Sequence, residues 1–117
     1  MSGFSPFYVG LAFILMHEMD AIRCRECRIF PGLSALGDRV GFVVFLWAHL
    51  VLYTLLFIFL VDPHYQHRVI FGISIFFIVH LILHMVFLKH PKNEFKDLHS
   101  WLLITGAALF GAWQLVI

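Results

Sequence analysis

Histidine and acidic side chains recur inside the apolar stretches of this 117-residue chain. Ionisable groups are costly within a membrane, so they tend to mark sites of function. Imidazole and carboxylate groups also bind metal ions and transfer protons, which makes these positions the first candidates for chemistry. The candidates are His17, Glu18, Asp20, His49, His80, His84 and His99.

The spacing of two pairs indicates that each pair faces a common interior. His80 and His84 stand at positions i and i+4, and His17 and Asp20 at i and i+3, so each pair shares one face of a helix. At a rise of 1.5 Å per residue, the candidates lie within about 14 Å of the same side of their apolar stretches. The sequence therefore predicts one shared site, to which all four stretches contribute.

The first hypothesis is a metal site near the cytoplasmic side, with zinc or iron as the cofactor. Its ligands would be His17, Asp20, His49, His80 and His84, with His99 as a further ligand or a supporting residue. One metal is favoured, because di-iron bundles use about four carboxylates. With zinc, Glu18 or Asp20 would serve as the general base of a hydrolase. With iron, the protein would be an oxidoreductase that oxidises or desaturates a lipid-like substrate.

Two alternatives stay open on the residues alone. His49 and His80 have nearly equal predicted depths on antiparallel neighbours, as the axial ligands of a b-type haem would. In the second alternative, the chain is a non-catalytic accessory subunit of a larger membrane complex, or it forms a homo-oligomer. Its histidines would then form interhelical hydrogen bonds or a proton relay.

The elements that must position these residues are predicted to be transmembrane helices. The chain is 62% hydrophobic and 13% charged, with a mean hydropathy of +0.92, which is a membrane composition. We expect a single domain over residues 1–117, an all-α integral membrane four-helix bundle in the lipid bilayer. The predicted spans are residues 6–23, 40–61, 69–88 and 98–116.

The basic residues predict the orientation of the spans. They cluster in the first and third connections (Arg23, Arg25, Arg28, Arg39, Lys89, Lys92 and Lys96), whereas Arg68 is alone in the second. The positive-inside rule therefore puts both termini on the outer side. No signal-peptide cleavage site follows the first apolar run, so we expect that span to be retained. A net charge of +1 indicates no nucleic-acid partner.

Several strings in the chain resemble a family of small bacterial membrane proteins of unknown function. They occupy residues 17–22, 25–32, 79–84, 90–95 and 98–101. The layout is also similar to that of the uncharacterised family named for its HXXEE motif, with His17-Glu18-Met19-Asp20 in the motif's place. The resemblance implies a four-helix, multi-pass protein of the bacterial inner membrane. It implies no particular activity.

Cys24 and Cys27 form a single C-x-x-C pair. A structural zinc site usually needs two such pairs or added histidines. The family resemblance also implies an aromatic residue at the position of Cys27. We therefore expect the pair to be structural or incidental rather than redox-active.

Overall fold

The described part of the computed structural model, residues 3–24, 28–29 and 32–117, is all-helical and contains no strand. It confirms the prediction of four long helices in these residues. The helices are α1 (Ser5–Arg23), α2 (Asp38–Val61), α3 (Gln66–Val86) and α4 (Leu98–Val116), and a short 3₁₀ turn (Ser34–Leu36) precedes α2.

Local sequence sets the limits of these helices. Pro6 lies in the first turn of α1, where its missing N–H costs no hydrogen bond. Gly37 joins the 3₁₀ turn to α2 with a φ of 84°, a conformation that favours glycine. Asp97 caps α4, because its carboxylate accepts a hydrogen bond from the backbone N–H of Ser100 at 2.9 Å.

Small residues let α4 pack closely between α1 and α3. A Cβ atom added at Gly111 would lie 2.8 Å from the backbone oxygen of Ser74 on α3. One added at Gly106 would lie 2.7 Å from the ring of Phe13 on α1. At Gly111 the backbones of α4 and α3 therefore approach closely, and at Gly106 the ring of Phe13 packs directly against α4, as the small residues of this helix predict.

The helices α1 and α4 are antiparallel, and polar contacts join them at both ends. At one end, the backbone N–H of Phe7 donates to Oε1 of Gln114 at 3.0 Å. At the other, Nη2 of Arg23 donates to Oδ2 of Asp97 at 3.0 Å. The start of α1 and the end of α4 therefore lie together, and the connection after α1 lies beside the one that precedes α4.

Helix α2 packs much less closely than the others. Its buried side chains are those of Phe45 and Leu60, whereas Trp47 and Val51 are 62% and 59% exposed. Among the helices of the described residues, α2 and α3 are long and apolar enough to cross a membrane, with mean hydropathies of 2.4 and 2.5. Helices α1 and α4 do not meet that criterion, because polar residues interrupt them.

Candidate metal centre and adjoining cavity

Three buried histidines from two parallel helices meet in the interior. We call His17 of α1 and His80 and His84 of α3 the histidine triad. Their ring centroids are 4.6 Å apart for His17 and His80, 4.9 Å for His17 and His84, and 4.6 Å for His80 and His84. His17 is fully buried, and the other two are each 4% exposed.

The triad lies between two layers of apolar side chains. Along α1, Ile14 belongs to one buried cluster and Ala21 to the other, and His17 stands between them. The first cluster includes Phe77 of α3, and the second includes Phe95 of the loop before α4. The polar rings are therefore enclosed by residues that exclude water.

Phe95 forms one wall of the triad. Its ring lies 4.6 Å from that of His84 and 5.3 Å from that of His17, between centroids. Asn93 holds the loop in place, since its Oδ1 accepts from the Phe95 N–H at 3.1 Å and its Nδ2 donates to the Leu88 oxygen at 3.0 Å. The indole of Trp101 also donates to the Phe95 oxygen at 2.7 Å. The loop is thus ordered around the side chain that covers the histidines.

The triad has the composition and spacing of a metal site. One nitrogen from each ring can be chosen so that all three lie within 4.8 Å of one another. Metal–nitrogen bonds of about 2.0–2.1 Å in a tetrahedral site require separations of roughly 3.4 Å, so the rings would have to move closer together around an ion. Three histidines with an open fourth position are a known ligand set of catalytic zinc.

Asp20 lies at the junction of α1 with α4, outside the triad. Its carboxylate accepts hydrogen bonds from Nε of Arg23 at 2.8 Å and from the hydroxyl of the buried Ser100. The thiol of Cys24 lies 3.8 Å from the same carboxylate. These contacts join the end of α1 to the start of α4. The predicted role of Asp20 as a metal ligand stays a prediction.

Glu18 and His49 face each other across α1 and α2. Oε2 of Glu18 lies 2.9 Å from Nε2 of His49, and both side chains are mostly buried. On the other edge of the ring, Nδ1 of His49 lies 2.7 Å from the backbone oxygen of Phe45. The structure therefore places His49 beside an acid, outside the triad, and its predicted role as a metal ligand stays untested. His99 is exposed in the first turn of α4, and its predicted role also stays untested.

A cavity of about 400 Å³ lies between α2 and the pair α1 and α3. His80 belongs both to its lining and to the triad, and Glu18 and His49 line it too. Most of the other lining side chains are aliphatic or phenylalanine. The triad thus adjoins an apolar space of the size of small-molecule sites, roughly 300–1,000 Å³.

Cys24 follows α1 and is buried, and its thiol donates to the Glu94 oxygen at 3.4 Å. Burial, with the nearby Asp20 carboxylate, raises the pKa of this thiol to about 11. Cys24 therefore stays protonated at neutral pH, which argues against thiolate chemistry there. Cys27 lies outside the described residues.

The described residues form an all-helical fold with a buried histidine cluster that could bind a metal ion or a haem. Residues 4–117 match the family described as "Family of unknown function (DUF6713)", and the chain belongs to that family. Neither a curated protein nor a solved structure matches it.

Proposed function

We propose that this chain is an integral membrane protein whose histidine triad binds one divalent metal ion, zinc or iron, for chemistry on a lipid-like substrate. The observation that carries the proposal is the convergence of His17, His80 and His84 in a buried, apolar layer. Imidazole nitrogens match the ligand preference of both metals.

The distribution of exposed side chains supports a membrane position for all four helices of the described chain. On α1, Met16 and Met19 are 51% and 66% exposed, whereas His17 between them is buried. On α4, Leu102 and Leu109 are 53% and 65% exposed, whereas Ser100 is buried. Helices with apolar outer faces and polar inner faces suit a lipid environment.

The neighbouring residues suit metal-assisted chemistry. A bound zinc ion would supply an activated water for hydrolysis, and iron would supply oxidation chemistry. Glu18 is the better placed of the two predicted general bases, because it lines the cavity together with His80, whereas Asp20 is held by Arg23 and Ser100. The apolar lining would exclude bulk water and accommodate the hydrocarbon of the substrate.

Elemental analysis of the natively purified, full-length protein tests this proposal. We expect about one equivalent of zinc or iron per chain. In His84→Ala and in the double variant His80→Ala, His84→Ala, the affinity for the metal should fall at least about tenfold. His64→Ala, in an exposed turn at the opposite end of the bundle, is the matched control and should retain the metal. A metal-free native protein, or equal metal in all variants, would overturn the proposal and favour an accessory subunit.

A second candidate is a b-type haem protein, because His49 and His80, the predicted axial ligands, line one cavity. The two candidates differ in their optical spectrum. A Soret band in the native protein that disappears in His49→Ala, and survives in His84→Ala, would favour the haem. Its absence would exclude this candidate.

A further inference from the structure

The cavity beside the triad runs along the bundle, from the turn between α2 and α3 to the histidines. On α3 its lining extends from Val69, close to the start of the helix, to His80. On α2 it extends from His49 to Phe59, close to the end of that helix. Each stretch covers about 15 Å of helix. Half of the hydrocarbon core of a bilayer is also about 15 Å thick, so the cavity has the length of one lipid chain in one leaflet.

The two ends of the cavity lie at different depths of the proposed membrane. The turn end, at Phe59 and Val69, adjoins the turn that joins α2 to α3. There the ring of Tyr65 packs on that of Phe59, with centroids 5.2 Å apart, and Arg68 is exposed. Tyrosine and arginine are typical of a membrane interface. The triad end, at His49, lies about halfway along α2 and therefore deep in the hydrocarbon.

The side chains at the triad end already contact each other. Nε2 of His49 lies 2.9 Å from Oε2 of Glu18, and Nδ1 of His49 lies 2.7 Å from the backbone oxygen of Phe45. Both ring nitrogens of His49 thus have partners within the protein. The phosphate of a lipid at this depth would also bring a charge into the hydrocarbon, which is costly. A lipid head group therefore fits the turn end better than the triad end.

The cavity is open toward the surface that we assign to the bilayer. Leu52 and Phe59 of α2 line it and are 52% and 36% exposed, and Phe76 of α3 is 43% exposed. Ile14, in the lining from α1, is 6% exposed. Helix α1 thus forms the floor, and the opening lies along α2 and α3. A lipid with two chains could place one chain in the cavity and keep the other in the bilayer.

We propose that the cavity holds one hydrocarbon chain of a phospholipid, whose head group stays at the turn end and whose methyl end lies beside His80. The inference rests on the proposed function for its membrane setting, and it names the part of the substrate that reaches the metal centre. The ester groups of the lipid would lie about 15 Å from His80. Of the two proposed activities, chemistry on the hydrocarbon fits this orientation and hydrolysis does not. In the predicted orientation of the chain, the lipid belongs to the outer leaflet.

Photolabelling of the full-length protein in phosphatidylethanolamine–phosphatidylglycerol vesicles tests this inference. Two phosphatidylethanolamine probes differ only in the position of a diazirine on one chain, next to the ester or next to the methyl end. Phe45 lines the triad end and is 7% exposed, so lipid outside the cavity has little access to it. We expect the methyl-end probe to label Phe45 at least about tenfold more than the ester-end probe, because the reverse orientation would bury the head group in hydrocarbon.

The ester-end probe should instead favour Val69, at the turn end. The opposite pattern, or no label on Phe45 from either probe, would overturn the proposal.

Matched variants separate cavity binding from general contact with lipid. Ile73→Trp fills the cavity between its two ends and should abolish labelling of Phe45 by the methyl-end probe. Ile82→Trp, at a position of the same helix that is 53% exposed, should retain it. Palmitate with a diazirine next to its methyl end tests a free fatty acid as the source of the chain. Labelling of Phe45 by palmitate alone, or labelling that persists in Ile73→Trp, would contradict the proposal.

Metal content measured on the same samples distinguishes this inference from the proposed function. His84 is not among the described residues that line the cavity, so His84→Ala should lose the metal and keep the labelling pattern. The expected pattern in a metal-free native protein would refute the metal centre and leave the lipid site standing. A metal-loaded protein without label on Phe45 would refute the lipid site, and a Soret band or crosslinks between two chains would then identify haem or a second copy as the occupant.

Discussion

At the scale of single residues, the four consecutive residues from His17 to Asp20 place their side chains in four different environments. Successive residues are rotated by about 100° around a helix. His17 therefore faces α3 and the triad, Glu18 faces His49 on α2, and Asp20 faces Ser100 on α4. Met19, between them, is 66% exposed. One turn of α1 thus contributes to the histidine triad, to the cavity and to the contact with α4.

The position of Asp20 predicts a role in stability rather than in metal binding. We expect Asp20→Asn to lower the free energy of unfolding by about 1–3 kcal/mol, because it weakens charge-assisted hydrogen bonds from Arg23 and Ser100. Metal content should stay unchanged. Thermal unfolding followed by circular dichroism, with elemental analysis of the same sample, measures both quantities.

A suitable control is Asp62→Asn, where the carboxylate accepts a hydrogen bond from the backbone N–H of His64 in an exposed turn. We expect a smaller loss of stability there. Loss of the metal from Asp20→Asn with an unchanged unfolding temperature would show instead that Asp20 is a ligand.

The sequence could predict the pairing of His80 with His84, because their spacing alone determines that they share a helix face. It could also predict that His17 is buried, because an ionisable group in an apolar stretch tends to face the interior. It could not predict that Glu18 pairs with His49, since that depends on how α2 is rotated against α1. Phe95 was missed for a similar reason: its burial results from the loop conformation held by Asn93.

At the scale of the helices, α4 is the element around which the described bundle packs. Gly106 faces Phe13 on α1, and Gly111 faces the backbone of Ser74 on α3. The number of helices could be predicted from four apolar stretches separated by charged or turn-forming residues. The start of α3 was harder to predict. The predicted span began at residue 69, where the apolar residues begin, but α3 begins at Gln66 and includes the polar residues His67 and Arg68.

The close contact at Gly111 predicts a large effect of one methyl group. We expect Gly111→Ala to lower the free energy of unfolding by about 1–3 kcal/mol, because the new Cβ would lie 2.8 Å from a backbone oxygen that cannot rotate away. Gly72→Ala on α3 is the matched control, since nothing lies within 4 Å of its added Cβ. That change should be neutral or stabilising by up to about 1 kcal/mol, because alanine favours the helix.

Reversible unfolding in mixed detergent micelles would measure both variants. The difference between them isolates the steric contact from helix propensity, which changes in the same direction at the two sites. Equal stabilities of Gly111→Ala and Gly72→Ala would contradict the close approach of α3 and α4.

At the scale of the whole molecule, charge is concentrated at the end of the bundle nearer the triad. Arg23 pairs with Asp97 there, and Nε of Arg28 donates to Oδ1 of Asp38 at 3.0 Å. Lys89, Lys92 and Lys96 belong to the connection at the same end, whereas Arg68 follows the turn at the other end. His17 lies about 9 Å from the charged end of α1. In the proposed membrane setting, the orientation therefore decides which compartment the triad is nearer to.

We expect the charged end to face the cytoplasm, because basic residues are retained on that side during insertion. Alkaline phosphatase fused after Ile117 should then be active, and green fluorescent protein fused there should be dark. The same reporters inserted after Lys92 should give the opposite result. Replacing Lys89, Lys92 and Lys96 by Gln, and adding three lysines after Ile117, should shift part of the population to the reverse orientation. Active phosphatase at Lys92 in the unaltered chain would contradict this orientation and would place the triad toward the outer side.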